Sequence, residues 1–172
     1  MGQDPAGGRA LCREAAQVVA VKRARFLGEL KRLRKVALDS SILIYHLEDV
    51  EPYAELTEAV FAAIAEGSPL AVLSTLSVTE LLVQPFMEGR RDRLAVLERF
   101  ILSLPNTRLI PPDYRIAREA ARLRAAYGVR TPDALLTATA LSEKADAFVT
   151  NDARLRRLKG EGIGVVVLDD YA

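Results

Sequence analysis

From Val36 onward, short apolar runs alternate with stretches in which apolar residues recur every three or four positions. The runs are Val36-Ala37-Leu38, Leu70 to Leu73, Arg108 to Ile110, Ala147 to Val149 and Val165 to Leu168. Runs this short and this continuous suit strands buried on both faces. Between them the spacing predicts helices. In residues 53–66, Leu56, Val60, Phe61, Ile64 and Ala65 share one face, and Gly67-Ser68-Pro69 ends it. A short helix is expected after Asp39-Ser40-Ser41, through Ile44 and Leu47. Further helices are expected over residues 77–84, stopped by Pro85, and over 91–103. Pro111-Pro112-Asp113 opens another that ends near Tyr127, with Gly128 just past it. Thr131-Pro132 opens the next, through Lys144, and a short helix carries Arg154, Arg156 and Arg157. Strands alternating with helices predict an α/β fold, a parallel sheet covered by helices on both faces.

The first 35 residues read differently. Residues 1–9 are rich in Gly, Pro and polar groups and are expected to be disordered. Residues 10–34 can form a basic helix, with Leu11, Ala15, Val18, Val19, Phe26, Leu30 and Leu33 as its apolar positions. Lys22, Arg23 and Arg25 interrupt that spacing. The expected organisation is a basic extension over 1–35, disordered or loosely helical, and a compact domain over 36–172. The extension is either a loosely attached tail or an arm for RNA or a partner. A start further along, at a valine such as Val21 or Val36, is an alternative reading of it.

Charge sharpens this division. Residues 1–35 hold nine Lys/Arg and three Asp/Glu, a balance of +6 inside a chain whose total is +1. The remaining residues balance at −5, so the body is acidic and no general nucleic-acid coat is expected. A single cysteine, Cys12, excludes an internal disulfide, and Cys12 with the lone His46 excludes a Cys/His zinc cluster. His46 is expected to be a surface or packing residue. No apolar run reaches the roughly 20 residues that span a bilayer, and the start lacks a signal-peptide pattern. The expectation is a soluble, cytoplasmic protein.

Four acids fall at comparable places. Asp39 follows the first strand and Asp152 the fourth. Glu80 and Asp133 lie in the first turns of helices. In an open α/β sheet such points gather at the carboxyl edge of the strands, where ligands bind. Each acid also has a structural explanation. Ser77-Val78-Thr79-Glu80 is a capping-box pattern, Thr131 an N-cap with Asp133 favoured by the helix dipole, and Asp39 and Asp152 possible caps. Four carboxylates in one pocket repel one another unless some protonate or a cation neutralises them. Mg²⁺ or Mn²⁺ suits an all-oxygen site and would support phosphodiester hydrolysis. Competing motifs are weak: there is no phosphate-binding loop, no dinucleotide fingerprint and no serine-hydrolase elbow. The glycines of Gly160-Glu161-Gly162-Ile163-Gly164 precede a strand and read as a turn.

Val36-Ala37-Leu38-Asp39-Ser40-Ser41-Ile42-Leu43-Ile44-Tyr45 resembles the opening of PIN-domain nucleases. Ser77-Val78-Thr79-Glu80-Leu81-Leu82 resembles their second motif, and Thr131-Pro132-Asp133 with the apolar helix to Leu141 their third. Phe148-Val149-Thr150-Asn151-Asp152 is similar to their fourth. The order and spacing across 36–172 resemble the VapC toxins of bacterial toxin–antitoxin pairs. That resemblance implies a three-layer fold with a five-stranded parallel sheet and a Mg²⁺- or Mn²⁺-dependent endoribonuclease. It implies an acidic quartet of Asp39, Glu80, Asp133 and Asp152, with Asp39 and Asp133 as direct metal ligands. Ser41 is implied as a supporting residue, and Thr150 or Asn151 as orienting a water or a carboxylate. It also implies a homodimer and a cognate antitoxin. Residues 1–35 have no counterpart in it. A non-toxin PIN nuclease in RNA processing and a binding module without catalysis are the alternatives. Arg130, Arg154, Arg156 and Arg157 are candidates for contacts to RNA phosphates.

Overall fold

The computed structural model describes the backbone of residues 5–172 and the side chains from residue 17 onward. The expected disorder of residues 1–9 therefore lies partly outside the described residues, as do the side chains of Leu11, Cys12 and Ala15.

Five strands form one parallel sheet: β1 (Lys35–Leu38), β2 (Leu70–Ser74), β3 (Thr107–Ile110), β4 (Ala147–Thr150) and β5 (Gly164–Val167), in the order β3-β2-β1-β4-β5. Among the described residues seven α-helices accompany them: α1 (Pro5–Leu30), α2 (Ser40–Leu47), α3 (Ala54–Ala65), α4 (Thr75–Met87), α5 (Arg91–Ser103), α6 (Tyr114–Tyr127) and α7 (Thr131–Ser142). A 3₁₀ helix, Ala153–Glu161, joins β4 to β5. The expected α/β architecture is present, and each strand lies within a residue or so of its predicted place.

The pleat of the strands sorts side chains into two cores. Ala37, Val72, Phe148, Val165 and Val167 face one side, against Ile116, Ala120 and Leu123 of α6 and the buried face of α7. Val36, Leu38, Ala71, Leu73 and Val149 face the other, against Ile42 and Leu43 of α2, Leu56, Val60 and Ile64 of α3 and Ile101 of α5. Successive residues of a strand point to opposite faces, so strands covered on both sides are apolar at every position.

Helix boundaries follow local chemistry. Gly128 ends α6 at φ 64°, a left-handed conformation that glycine adopts without steric cost, and its amide bonds Arg124 O. Asp113 starts α6 by accepting from the Ile116 amide at 2.9 Å. The predicted stop at Pro85 is not one: α4 continues to Met87. Pro85 stands in the last turn, where few bonds remain to be lost, and its ring is buried.

The basic N-terminal segment is helical from Pro5, and its C-terminal end enters the core. Phe26 and Leu30 are buried, and the Phe26 ring lies 5.0 Å from that of Tyr171. Lys22 Nζ donates to Ala172 O at 2.7 Å, Tyr171 donates to Glu29, and Arg23 pairs with Glu55 of α3. Burial and the neighbouring Glu29 push the Tyr171 hydroxyl up to about 12. Exposed Val18, Val19 and Val21 take no part in this packing. Among the described residues no helix is long and apolar enough to cross a membrane.

Candidate active site

The chain winds from β1 outward to β2 and β3, then returns to the other side of β1 for β4 and β5. The direction reverses between β1 and β4, and a crevice opens there at the carboxyl ends of the strands. Asp39 follows β1 and Asp152 follows β4, so one lies on each side of it. The Asp39 amide continues the ladder by donating to Val149 O at 2.9 Å.

A cavity of about 580 Å³ occupies this place, and Asp39, Glu80, Asp133 and Asp152 all contribute to its wall. Ser40, Ser41, Ile44, Tyr45, Val83, Arg130, Leu136, Asn151 and Arg154 complete it. Four elements thus deliver one acid each: β1, α4, α7 and β4.

The four carboxylates have different partners. Asp39 stands at the N-cap of α2, yet its side chain makes no cap hydrogen bond. It accepts instead from the hydroxyls of Ser41 at 3.1 Å and Thr150, and Ser40 Oγ lies 3.3 Å from its other oxygen. Burial pushes its carboxyl above the usual range; the hydroxyl donors oppose that, and nearby Asp133 adds to it. Glu80 accepts from the buried Ser40 hydroxyl, so Ser40 joins the first and second motifs. The expected capping box is absent. Helix α4 starts earlier, with Ser74 as the cap accepting from Leu76 N at 3.3 Å, and Ser77 lies inside the first turn. This leaves Glu80 turned to the cavity.

Asp133 and Asp152 each meet an arginine. Arg130 Nε donates to Asp133 at 3.0 Å and its Nη2 at 3.3 Å, a forked contact. Arg130, not Thr131, is the N-cap residue of α7, and Thr131 is its first helical residue. Arg154 grips Asp152 with Nε at 2.9 and 3.0 Å and Nη2 at 2.6 Å. Asp152 also caps the 3₁₀ helix through the Arg154 amide at 2.9 Å. The Arg154 guanidinium holds the Asp152 carboxyl below the usual carboxylate range. Among the described residues, no three acidic, imidazole or thiol groups stand close enough together to hold a metal ion as arranged. The donors are nonetheless all oxygens, and Asp39 and Glu80 meet no cationic side chain among the described residues. A desolvated carboxylate with only hydroxyls around it is what a hard divalent cation would satisfy.

Of the other arginines expected near RNA, Arg156 pairs with Asp170 and Arg157 donates to the carbonyls of Arg154 and Tyr127. Neither lines the cavity that holds the four acids. His46 does not line it either: its ring lies 4.4 Å from Phe61 and 3.6 Å from a Glu58 oxygen. Thr150 and Ser41 hold Asp39, and Asn151 accepts from the Asp169 amide at 2.9 Å. Ser40 and Tyr45 were not singled out by sequence. The doubled serine after Asp39 was the available signal for Ser40.

Comparison with known proteins agrees with this geometry. The PIN domain family model matches residues 36–161, which span all four acids. The chain belongs to the PIN domain family. No curated protein sequence matches it significantly. Among solved structures, this PIN domain is similar to VapBC2 from Rickettsia felis, solved bound to a DNA fragment from its promoter. The TM-score is 0.58 at 16% identity, covering 76% of this chain and 96% of that one. It is also similar to FitAcB from Neisseria gonorrhoeae, with TM-score 0.57 and 21% identity over 76% and 96% of the two chains. A toxin–antitoxin complex from Klebsiella pneumoniae gives TM-score 0.54 and 23% identity over 77% and 96%. These likenesses show a shared PIN fold. PIN domains are generally nucleases.

Proposed function

We propose that this chain is a divalent-metal-dependent endoribonuclease that hydrolyses RNA phosphodiester bonds, and that it is the VapC-type toxin of a toxin–antitoxin pair. The observation that supports this most is convergence. Four carboxylates from four separate elements line one cavity at the switch point of the sheet.

Asp39 and Asp133 are the proposed direct metal ligands, with Glu80 and Asp152 completing the set. When bound, Mg²⁺ or Mn²⁺ lowers the pKa of a water and offsets charge on the phosphate. The protein's own groups do the rest. Ser41 and Thr150 both donate to Asp39 Oδ2, which orients the carboxylate before anything binds. Ser40 couples Asp39 to Glu80. Arg130 and Arg154 stand with exposed side chains at the rim and can exchange a carboxylate for a substrate phosphate.

Purified chain with Mg²⁺ or Mn²⁺ is expected to cleave RNA, and Asp39→Asn to abolish cleavage while leaving the circular dichroism spectrum unchanged. Equal cleavage by the variant would remove this site from consideration.

The proposal of an antitoxin partner is supported by neighbours solved as toxin–antitoxin complexes. Expression of the chain alone should arrest growth, and the product of an adjacent small gene should relieve it. Normal growth would point to RNA processing instead. Homodimerisation is supported by exposed Val83, Phe86 and Met87 on α4; a solution mass of one chain would exclude it. Residues 1–35 are proposed to act apart from catalysis, since none of them lines the cavity among the described residues.

A further inference from the structure

The cavity has a wall that metal and phosphate would leave unused. Ile44, Tyr45, Val83 and Leu136 line it beside the carboxylates, and none of their apolar surface can serve an ion or a phosphate. Tyr45 is held in place from several directions. Its ring stacks on Tyr53, with centroids 4.7 Å apart and planes 15° from parallel. Tyr53 donates its hydroxyl to Asp169 Oδ1 at 2.5 Å. The Asp169 amide donates to Asn151 Oδ1 at 2.9 Å, and Asn151 Nδ2 approaches the Tyr45 hydroxyl at 3.5 Å. Tyr45, Tyr53, Asp169 and Asn151 therefore close a ring of contacts. Asn151 lies between Thr150, which donates to Asp39, and Asp152. The aromatic pair and the acids are thus tied to the same three residues of chain.

A planar, amphipathic group fixed at the edge of an acidic cavity suits a nucleobase. Aromatic rings bind bases by stacking, with little regard to sequence, when the base is free of its own neighbours. A ring already immobilised loses little conformational freedom on binding. We propose that Tyr45, backed by Tyr53, is a base-stacking platform for the nucleotide beside the scissile phosphate. In a duplex both faces of each base are occupied, so no base can reach Tyr45 without unstacking. This rests on the nuclease reading of the cavity and adds the residue that holds the base.

The test uses binding rather than cleavage. The full-length chain carrying Asp39→Asn is titrated, with Mg²⁺, against an end-labelled single-stranded oligoribonucleotide and against the same strand annealed to its complement. The single strand should bind more tightly than the duplex. Adding Tyr45→Leu should weaken single-strand binding about tenfold, whereas Tyr45→Phe should restore it to within about twofold. Abasic sites placed one at a time along the oligonucleotide test the same contact without altering the protein. One position should weaken binding by a factor similar to Tyr45→Leu. Equal affinity for strand and duplex, an indifferent Tyr45→Leu variant that is folded, or indifference to every abasic site would each overturn the platform. No binding of either RNA by the parent protein would overturn the nuclease reading itself, and the platform with it.

Discussion

Asp146 lies just before β4 and Asp39 just after β1, at opposite ends of the same pair of strands. Each donates its amide across the ladder, Asp146 to Lys35 O at 2.8 Å and Asp39 to Val149 O at 2.9 Å. Their side chains differ. The Asp146 carboxylate accepts from the backbone amides of Arg34 at 2.7 Å and Lys35 at 2.9 Å, which hold it below the usual range. The Asp39 carboxylate accepts only from hydroxyls, and burial drives it the other way. Backbone amides are fixed, satisfied partners, so Asp146 is a brace. Hydroxyls can rotate and can equally accept, so Asp39 keeps capacity for something positive. The difference separates an acid that stabilises the fold from one available for chemistry.

Breaking the two acids should produce opposite phenotypes. Asp39→Asn is expected to lower RNA cleavage by more than about a hundredfold. It should melt at or above the wild-type temperature, because a charge disfavoured by burial is removed. A fall of more than about 5 °C in a thermal melt would return Asp39 to the structural class.

Asp146→Ala should do the reverse. Two amides lose their acceptor, one of them partly buried, and the expected cost is about 1–3 kcal/mol in a denaturant titration. Cleavage per folded molecule should be unchanged, and a loss of specific activity would undo the contrast.

A smaller effect appears with pH. The Asp146 carboxyl is depressed in the folded chain, so its contribution is present above the unfolded value and lost as pH falls through the folded one. The melting difference between wild type and Asp146→Asn should be flat from neutral pH down to about pH 5 and shrink below about pH 4. A difference that persists unchanged at pH 3 would mean the ionised carboxylate is not what braces the strands.

Arg154→Ala should change stability least. Its pair with Asp152 lies at the cavity rim with the Arg154 side chain exposed, and such surface pairs contribute about 0–1 kcal/mol. RNA binding should weaken and its logarithmic salt slope should fall by about one. An unaltered slope would take Arg154 off the phosphate path.

The chain's pattern disclosed the sheet well because buried parallel strands are apolar on consecutive residues, a signal that is local. It disclosed the places of Asp39 and Asp152 for the same reason, since each lies within two residues of a strand's end. Other features depend on residues far apart in sequence. Glu80 reads both as one of the four acids and as a cap on Ser77; the helix starts sooner, and Glu80 meets Ser40, forty positions earlier. Tyr45 acquires meaning only beside Tyr53, Asn151 and Asp169. The basic segment looked poorly amphipathic, yet Phe26 and Leu30 are buried, with Tyr171 against the Phe26 ring near the far end of the chain. Local patterns describe elements; which elements meet is a property of the whole.

The central place of β1 also bears on when the cavity can exist. Its two neighbours, β2 and β4, are separated by most of the domain's length, and the pairing with β4 closes a loop of more than a hundred residues. Closing so long a loop is intrinsically slow, because its entropy is lost before the contacts form. While the ribosome has made the chain only as far as α4, Asp39 and Glu80 are present, but Asp133, Asp152 and the Thr150 hydroxyl that holds Asp39 are not. The cavity is therefore complete only when the residues on both sides of β1 have been made and paired, and a nascent chain that stops at α4 holds two of its four acids.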